Sequence, residues 1–236
     1  KALIRMYNLT KPQGSLGRME DLAVQLAGIH GDLFPVGSGK RVYVMAADHG
    51  VTEEGISAYP SEVTVQMVAN FVNGGAAINV LGRHNNVEVE VVDVGVKLDP
   101  DLPGVRKMRI KPGTENFYRK PSMSRFEALQ AIMAGVQCAA EAADQKIKVL
   151  ATGEMGIGNT TASSAVMAAL TGYDVSLVVG RGTGLDDDKL IHKQEVVSGA
   201  LELHKPDPAD PLSVLSAVGG LEIAALTGLI IGAAAH

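Results

Sequence analysis

Two glycine-rich stretches hold the residues best suited to chemistry. The first, Gly153-Glu154-Met155-Gly156-Ile157-Gly158-Asn159-Thr160-Thr161, follows the apolar run KIKVLAT and leads into a helical pattern of small residues. Glycines at such a junction let backbone N–H groups and a helix N-terminus converge on a phosphate. The spacing from Gly153 to Gly158 mimics a P-loop, but Asn159 stands where the lysine that reaches the outer phosphates belongs. Nucleoside triphosphate hydrolysis is therefore disfavoured. Glycines alone read equally well as a tight strand-to-helix turn. Glu154 tips the balance, because a carboxylate at the carboxyl end of a strand faces the ligand crevice of an open sheet, where it can act as a base or stabilise positive charge. Its plain alternative is an exposed turn glutamate.

The second stretch, Gly180-Arg181-Gly182-Thr183-Gly184, follows VSLVV and precedes Asp186-Asp187-Asp188 and a helical pattern with His192 and Lys193. Lys193 lies about two turns into that helix, from where it can reach a single phosphate as a point charge. Taken alone it is a surface lysine. The three aspartates are read as a helix cap that complements the dipole in preference to a Mg²⁺ site. Asp48-His49-Gly50-Val51 invites a metal or acid–base reading, but no second ligand recurs at a suitable spacing, so a turn-forming Asp with a partly buried His is favoured. Tyr59 and Gln66 pair an aromatic face with an amide, suited to a flat heterocycle; packing of Tyr59 in the core is the even alternative. The remaining histidines and methionines support no site.

These residues need a scaffold, and the 236-residue chain is long enough for a sizeable core. Hydrophobic residues make up 46% and charged ones 20%, which excludes general disorder. The net charge of -5 and the absence of basic runs or tryptophan exclude a nucleic-acid groove or stacking platform. Cys138, the single cysteine, permits neither a disulfide framework nor a cysteine zinc site within one chain, and a reducing, cytoplasmic compartment is expected. No leader or membrane span is expected, the longest apolar run being Ala224–Ala235. The missing initiator Met and the stop within a helical pattern predict a longer natural chain.

RVYVMAAD, VEVEVVDVGV, KIKVLATG and VSLVVGRG have strand character. Helical patterns alternate with them over Ser61–Leu81, Ser124–Ala143, Thr160–Leu170 and Asp186–Leu203, with Ser124 and Glu127 forming a capping box. The alternation predicts an α/β fold: a doubly wound, mostly parallel sheet with flanking helices. Helices at Leu16–His30 and Pro211–His236 are expected to form a small helical domain from the chain ends. The expected division is residues 1–40, a 41–205 nucleotide-binding core, and 206–236 as the start of a C-terminal helical region.

Seven blocks in order, Thr10–Gly17, Ala47–Val51, Tyr59–Thr64, Asn73–Ile78, Gly153–Thr161, Gly180–Gly184 and Gly219–Ala224, resemble the nicotinate-nucleotide:dimethylbenzimidazole phosphoribosyltransferase family of cobalamin lower-ligand synthesis. The resemblance runs from Thr10 to Ala235. It implies transfer of phosphoribosyl from nicotinate mononucleotide to 5,6-dimethylbenzimidazole, giving α-ribazole 5′-phosphate and nicotinate with inversion at the anomeric carbon. It implies no cofactor and no metal, a homodimer, and small-molecule partners only, with neither nucleic acid nor membrane. By resemblance, Gly156, Gly158, Gly182, Thr183 and Lys193 hold the phosphate, with Asn159 beside them in the substrate site. Tyr59, Gln66 and Met155 line the benzimidazole pocket, and Glu154 lies near the reacting centre. The family's general base has no counterpart within these 236 residues, and Glu222 is not given that role. A binding module without catalysis, retaining the loops but lacking the base, is the competing expectation.

Overall fold

The computed structural model describes residues 1–33 and 39–236. They form two compact units, Lys1–Ser38 and Gly39–His236. The first contains α1 (Ala2–Tyr7) and α2 (Arg18–His30). Glu20, buried in the first turn of α2, accepts from Lys11 Nζ at 2.7 Å and from the Leu16 N–H at 3.0 Å, which folds the intervening Pro-Gln-Gly loop onto the helix start.

The second unit is built on four parallel strands: β1 (Lys40–Ala47), β2 (Glu88–Gly95), β3 (Val105–Lys107) and β4 (Val149–Met155), in the order β3-β2-β1-β4. The helices are α3 (Glu62–Val72), α4 (Ala77–Asn85), α5 (Arg125–Asp144), α6 (Asn159–Thr171), α7 (Val175–Val178), α8 (Asp187–His204), α9 (Pro211–Val218) and α10 (Leu221–Ala235). Side chains alternate across the sheet. Tyr43, Met45 and Ala47 pack with residues of α5 and α10, whereas Val44 and Ala46 pack with Val68 and Phe71 of α3. Helices thus cover both faces, as the alternating pattern predicts. A third apolar cluster joins Ala162 and Ala165 of α6 to Val196, Val197 and Ala200 of α8 and Val214 and Val218 of α9.

Local signals account for much of this. Ser124 Oγ accepts from the Glu127 N–H at 3.2 Å and Glu127 returns a 2.7 Å bond to the Ser124 N–H, so the capping box forms at the start of α5. Asp186 caps α8 by accepting from the Lys189 N–H, the role favoured for the aspartate triplet.

Two expectations need correction. VSLVV is not a strand: Asp174 accepts from the Ser176 N–H at 2.8 Å and caps the one-turn helix α7, so a short apolar run of ambiguous period follows its cap. The helical pattern over 61–81 breaks into α3 and α4 at Asn73-Gly74-Gly75, where Gly74 adopts φ +75° and ends the first helix. Helices α9 and α10 pack within the Gly39–His236 unit, where Leu221, Ala224, Ala225 and Leu229 complete the core under Met45 and Val92. The fit of α10 on α5 depends on small residues. A Cβ at Gly135 would lie 1.8 Å from the Ala225 carbonyl, and one at Gly228 would lie 1.8 Å from that of Ile132.

Candidate functional site

The carboxyl end of β4 runs directly into α6, and the turn between them opens on a cavity of about 170 Å³ lined by residues that include Ser57, Glu154, Gly156, Asn159, Thr160 and Thr183. Met155 and Gly158 also line it. Gly158 is the N-cap of α6 at φ +93°, a left-handed conformation that favours glycine. A Cβ there would also press on Thr52 and on the Cβ of His49. Gly156 has still less room, since its Cβ would stand 2.1 Å from the Ala47 carbonyl oxygen. These two glycines bring the backbone close to β1 and leave the N-terminus of α6 facing the cavity, the geometry of an anion nest.

The second loop closes the same site from α8. Lys193 is 1% exposed, not the surface lysine that its place in the sequence suggests. Its Nζ donates to Thr160 Oγ1 at 2.9 Å and to the Gly180 carbonyl at 3.2 Å. Burial without a carboxylate partner lowers its pKa below the ordinary lysine value. Gly182, at φ +52°, lies over this contact: a Cβ would come within 2.9 Å of Thr160 Oγ1 and 3.1 Å of Lys193 Nζ. Thr183 Oγ1 accepts from the Ala58 N–H at 3.0 Å and lies 3.3 Å from Ser57 Oγ, tying the loop to the segment ahead of α3.

Glu154 pairs in register with Met45 and so shares the α10 face of the sheet, while Met155 follows Ala46 to the α3 side, where it packs against the cluster that holds Val44, Val68 and Phe71. The Glu154 carboxylate accepts from the side-chain amide of Asn159. Glu154 is exposed, but crowding at the strand end that thins its hydration, then the negative charge of Glu222, push its pKa up; His49 and Asn159 oppose the rise. Asn159 is therefore engaged with Glu154 before any ligand arrives.

The structure brings Glu154, Met155, Gly156, Gly158, Asn159 and Thr183 to one cavity, with Gly182 and Lys193 at its Thr160 wall. Tyr59 and Gln66 are exposed and line no part of that cavity. The sequence reads His49 as a partly buried residue with no site role; it is instead fully buried and hydrogen-bonded to Glu222. The available signal was Gly220, two residues ahead of Glu222, whose missing Cβ makes room for the ring. Among the described residues no group of three or more His, Cys, Asp or Glu side chains is arranged to hold a metal ion, and no helix is long and apolar enough to cross a membrane.

An open parallel sheet whose β4 end carries a carboxylate and a glycine loop, faced by a second glycine loop after α7 and a buried lysine from α8, defines an α/β protein with the donors that a phosphorylated small molecule requires. The chain belongs to the phosphoribosyltransferase family whose model matches residues 1–236. It is 57% identical over its whole length to the nicotinate-nucleotide--dimethylbenzimidazole phosphoribosyltransferase of Roseiflexus sp. (strain RS-1), covering 67% of that protein. It is 48% identical to the protein of the same name from Ruminiclostridium cellulolyticum, again covering 67% of it. The crystal structure of CobT from Thermus thermophilus matches 99% of this chain with a TM-score of 0.93 at 44% identity, and 70% of that chain is covered. The chain thus spans about two thirds of the length of these relatives.

Proposed function

We propose that the chain carries out the reaction after which its relatives are named: it transfers phosphoribosyl from nicotinate mononucleotide to 5,6-dimethylbenzimidazole, releasing nicotinate and forming α-ribazole 5′-phosphate. The observation that carries this reading is the meeting of both glycine loops at Thr160, with the buried Lys193 ammonium beside it and the Glu154 carboxylate on the same cavity wall. A monoester phosphate is matched by backbone N–H donors and one point charge, whereas a pyrophosphate donor calls for a divalent metal.

In this reading the N–H groups of Gly156–Thr160, the Gly182-Thr183 backbone and Lys193 Nζ grip the phosphate and fix the ribose beside Glu154. The bond from the anomeric carbon to the pyridinium nitrogen of nicotinate breaks, its electron pair leaving with the ring. The ionised Glu154 carboxylate stabilises the positive charge that develops on the sugar, and Asn159 holds that carboxylate in place. The azole nitrogen of the acceptor attacks the opposite face of the sugar, and its proton passes to a base expected outside residues 1–236. Met155 contributes to the acceptor pocket. Tyr59 and Gln66 join it from the segment around α3, the resemblance being what supports them.

A cytoplasmic homodimer completes the proposal. It is supported by the resemblance and by the exposed stripe Met19, Leu22, Leu26 and Ile29 on α2. The deciding experiment is an assay of nicotinate release by the full-length gene product with both substrates, the nucleotide product being identified by mass. Release dependent on dimethylbenzimidazole supports the reading. Calorimetric binding of both compounds without turnover would favour a module that binds without catalysing.

A further inference from the structure

Three separated parts of the sequence meet at His49. Its Nε2–H donates to Glu222 Oε1 at 2.9 Å, and both side chains are fully buried. This bond links the residue two beyond the end of β1 to the first turn of α10. Gly220 precedes the pair for a steric reason: a Cβ there would stand 2.5 Å from His49 Cε1 and 2.6 Å from Glu222 Oε2. A Cβ at Gly156 would likewise lie 3.2 Å from His49 Cδ2 and Nε2. The imidazole is therefore the wall on which the turn after Glu154 rests. Glu222 enters from α10, which covers the face of the sheet that Glu154 shares.

Stability does not explain this arrangement. The desolvation cost of a buried ion pair offsets most of its Coulomb gain, and here Glu222 Oε2 and His49 Nδ1 lack hydrogen-bond partners among the described residues. We propose that His49 and Glu222 act as a positioning pair for Glu154: the ring sets the path of the Gly156 turn, and its positive charge cancels the buried charge of Glu222 close to the exposed Glu154 carboxylate. The inference rests on the role given to Glu154 above. The charged groups acting on His49 are Glu222 from α10, Asp48 from its own turn and Glu154 from β4; against the loss of water, they raise its pKa above the ordinary imidazole value. Asp48 is held in turn by the Lys97 N–H at 2.8 Å. Glu154 feels Glu222 and His49, and Asn159 through its amide.

If His49 is a positioning residue, His49→Asn leaves Glu222 uncompensated and drives the titration of Glu154 upward by about one pH unit, the size typical of a like charge at close range. Adding Glu222→Gln in that background removes the excess charge and returns the titration toward its starting point, although it restores no hydrogen bond. A purely structural role predicts no such rescue. The experiment follows the carbon-13 carboxyl resonance of Glu154, identified by its loss in Glu154→Gln, against pH in the full-length protein, its His49→Asn variant and the double variant. The acid limb of kcat is recorded in parallel. An unshifted resonance in folded His49→Asn, or a shift that persists in the double variant, overturns the proposal. Should His49→Asn not fold, nitrogen-15 titration of the His49 ring in the unmodified protein decides: a ring protonated at neutral pH supports the pair, and a neutral ring there overturns it. These resonances need no substrate, so their outcome is separable from a failure of the proposed reaction.

Discussion

Lys193 Nζ donates to Thr160 Oγ1 across 2.9 Å, and through this one bond a side chain from α8 reaches the first turn of α6. The ammonium is buried beside a hydroxyl and a carbonyl, with no carboxylate paired to it among the described residues. Such a site binds a free cation poorly and an incoming phosphate well, since the ligand supplies the missing opposite charge.

Lys193→Ala is accordingly expected to weaken nicotinate mononucleotide binding by about 1.5–3 kcal/mol, roughly 10- to 150-fold, in calorimetric titration. Lys193→Met, which keeps the volume and removes the charge, should lose the same affinity while leaving the ligand-free protein as stable or more so. The pH dependence follows from the depressed pKa. Between the folded value and the ordinary lysine value the unfolded chain binds more protons, so this group's contribution to stability grows as pH rises through that window. Alkaline melting curves of Lys193→Met should lack that increment. A ligand affinity equal to the parent's would remove Lys193 from the phosphate site.

Gly182→Ala tests the second loop without touching a charge. The added methyl meets both Thr160 Oγ1 and Lys193 Nζ, and the residue keeps φ +52°, where an L side chain costs about 1–2 kcal/mol. The loop is exposed, so most of the damage should fall on the nucleotide site and little on the core. We expect mononucleotide affinity to fall at least about tenfold, with a loss in global stability no greater than that backbone cost. Parent-like affinity would show that this loop does not close the site.

Glu154 must be ionised to stabilise a positive sugar, and its raised pKa moves the acid limb of kcat upward from the ordinary glutamate value. Asn159 donates to that carboxylate and holds the pKa down. Asn159→Ala should therefore move the limb to higher pH, and Glu154→Gln should lower kcat more than it raises KM for the mononucleotide. Because the folded protein binds the Glu154 proton more tightly than the unfolded chain does, stability from this group is present at low pH and is lost as pH rises through the folded value. An Asn159→Ala limb identical to the parent's would dissociate the amide from the carboxylate's function.

The parts of this architecture that were legible in sequence are those decided locally. Ser124 and Glu127 specify their capping box within four residues, and the glycines at 156 and 158 announce a close approach of backbone. What could not be read depends on partners far along the chain. Lys193 looks like a surface residue because its helix gives no hint that Gly180 and Thr160 will enclose its ammonium. His49 and Glu222 lie 173 residues apart, so no spacing rule joins them. VSLVV departs from its strand-like composition for the opposite, local reason that the cap at Asp174 outweighs it. The place of α10 is not legible because its evenly apolar sequence marks no solvent face, although Leu221, Ala225 and Leu229 are buried while Ile230 and Ile231 are exposed.

The packing of α10 on α5 supplies a stability prediction independent of the reaction. Gly135→Ala drives a methyl to 1.8 Å from the Ala225 carbonyl and 2.6 Å from the Leu229 amide, both backbone atoms that yield only if the helices part. Separation would also uncover Met45, Val92 and Leu221 beneath them. A loss of at least about 3 kcal/mol is expected, at the upper end for overpacked cores. Ser124→Ala, at the exposed start of the same helix, removes only the cap and should cost about 1 kcal/mol. In urea unfolding the cap variant should shift the midpoint at constant m, while the glycine variant should unfold far earlier or fail to fold. Equal midpoints for the two would mean that the helices are not in backbone contact at Gly135.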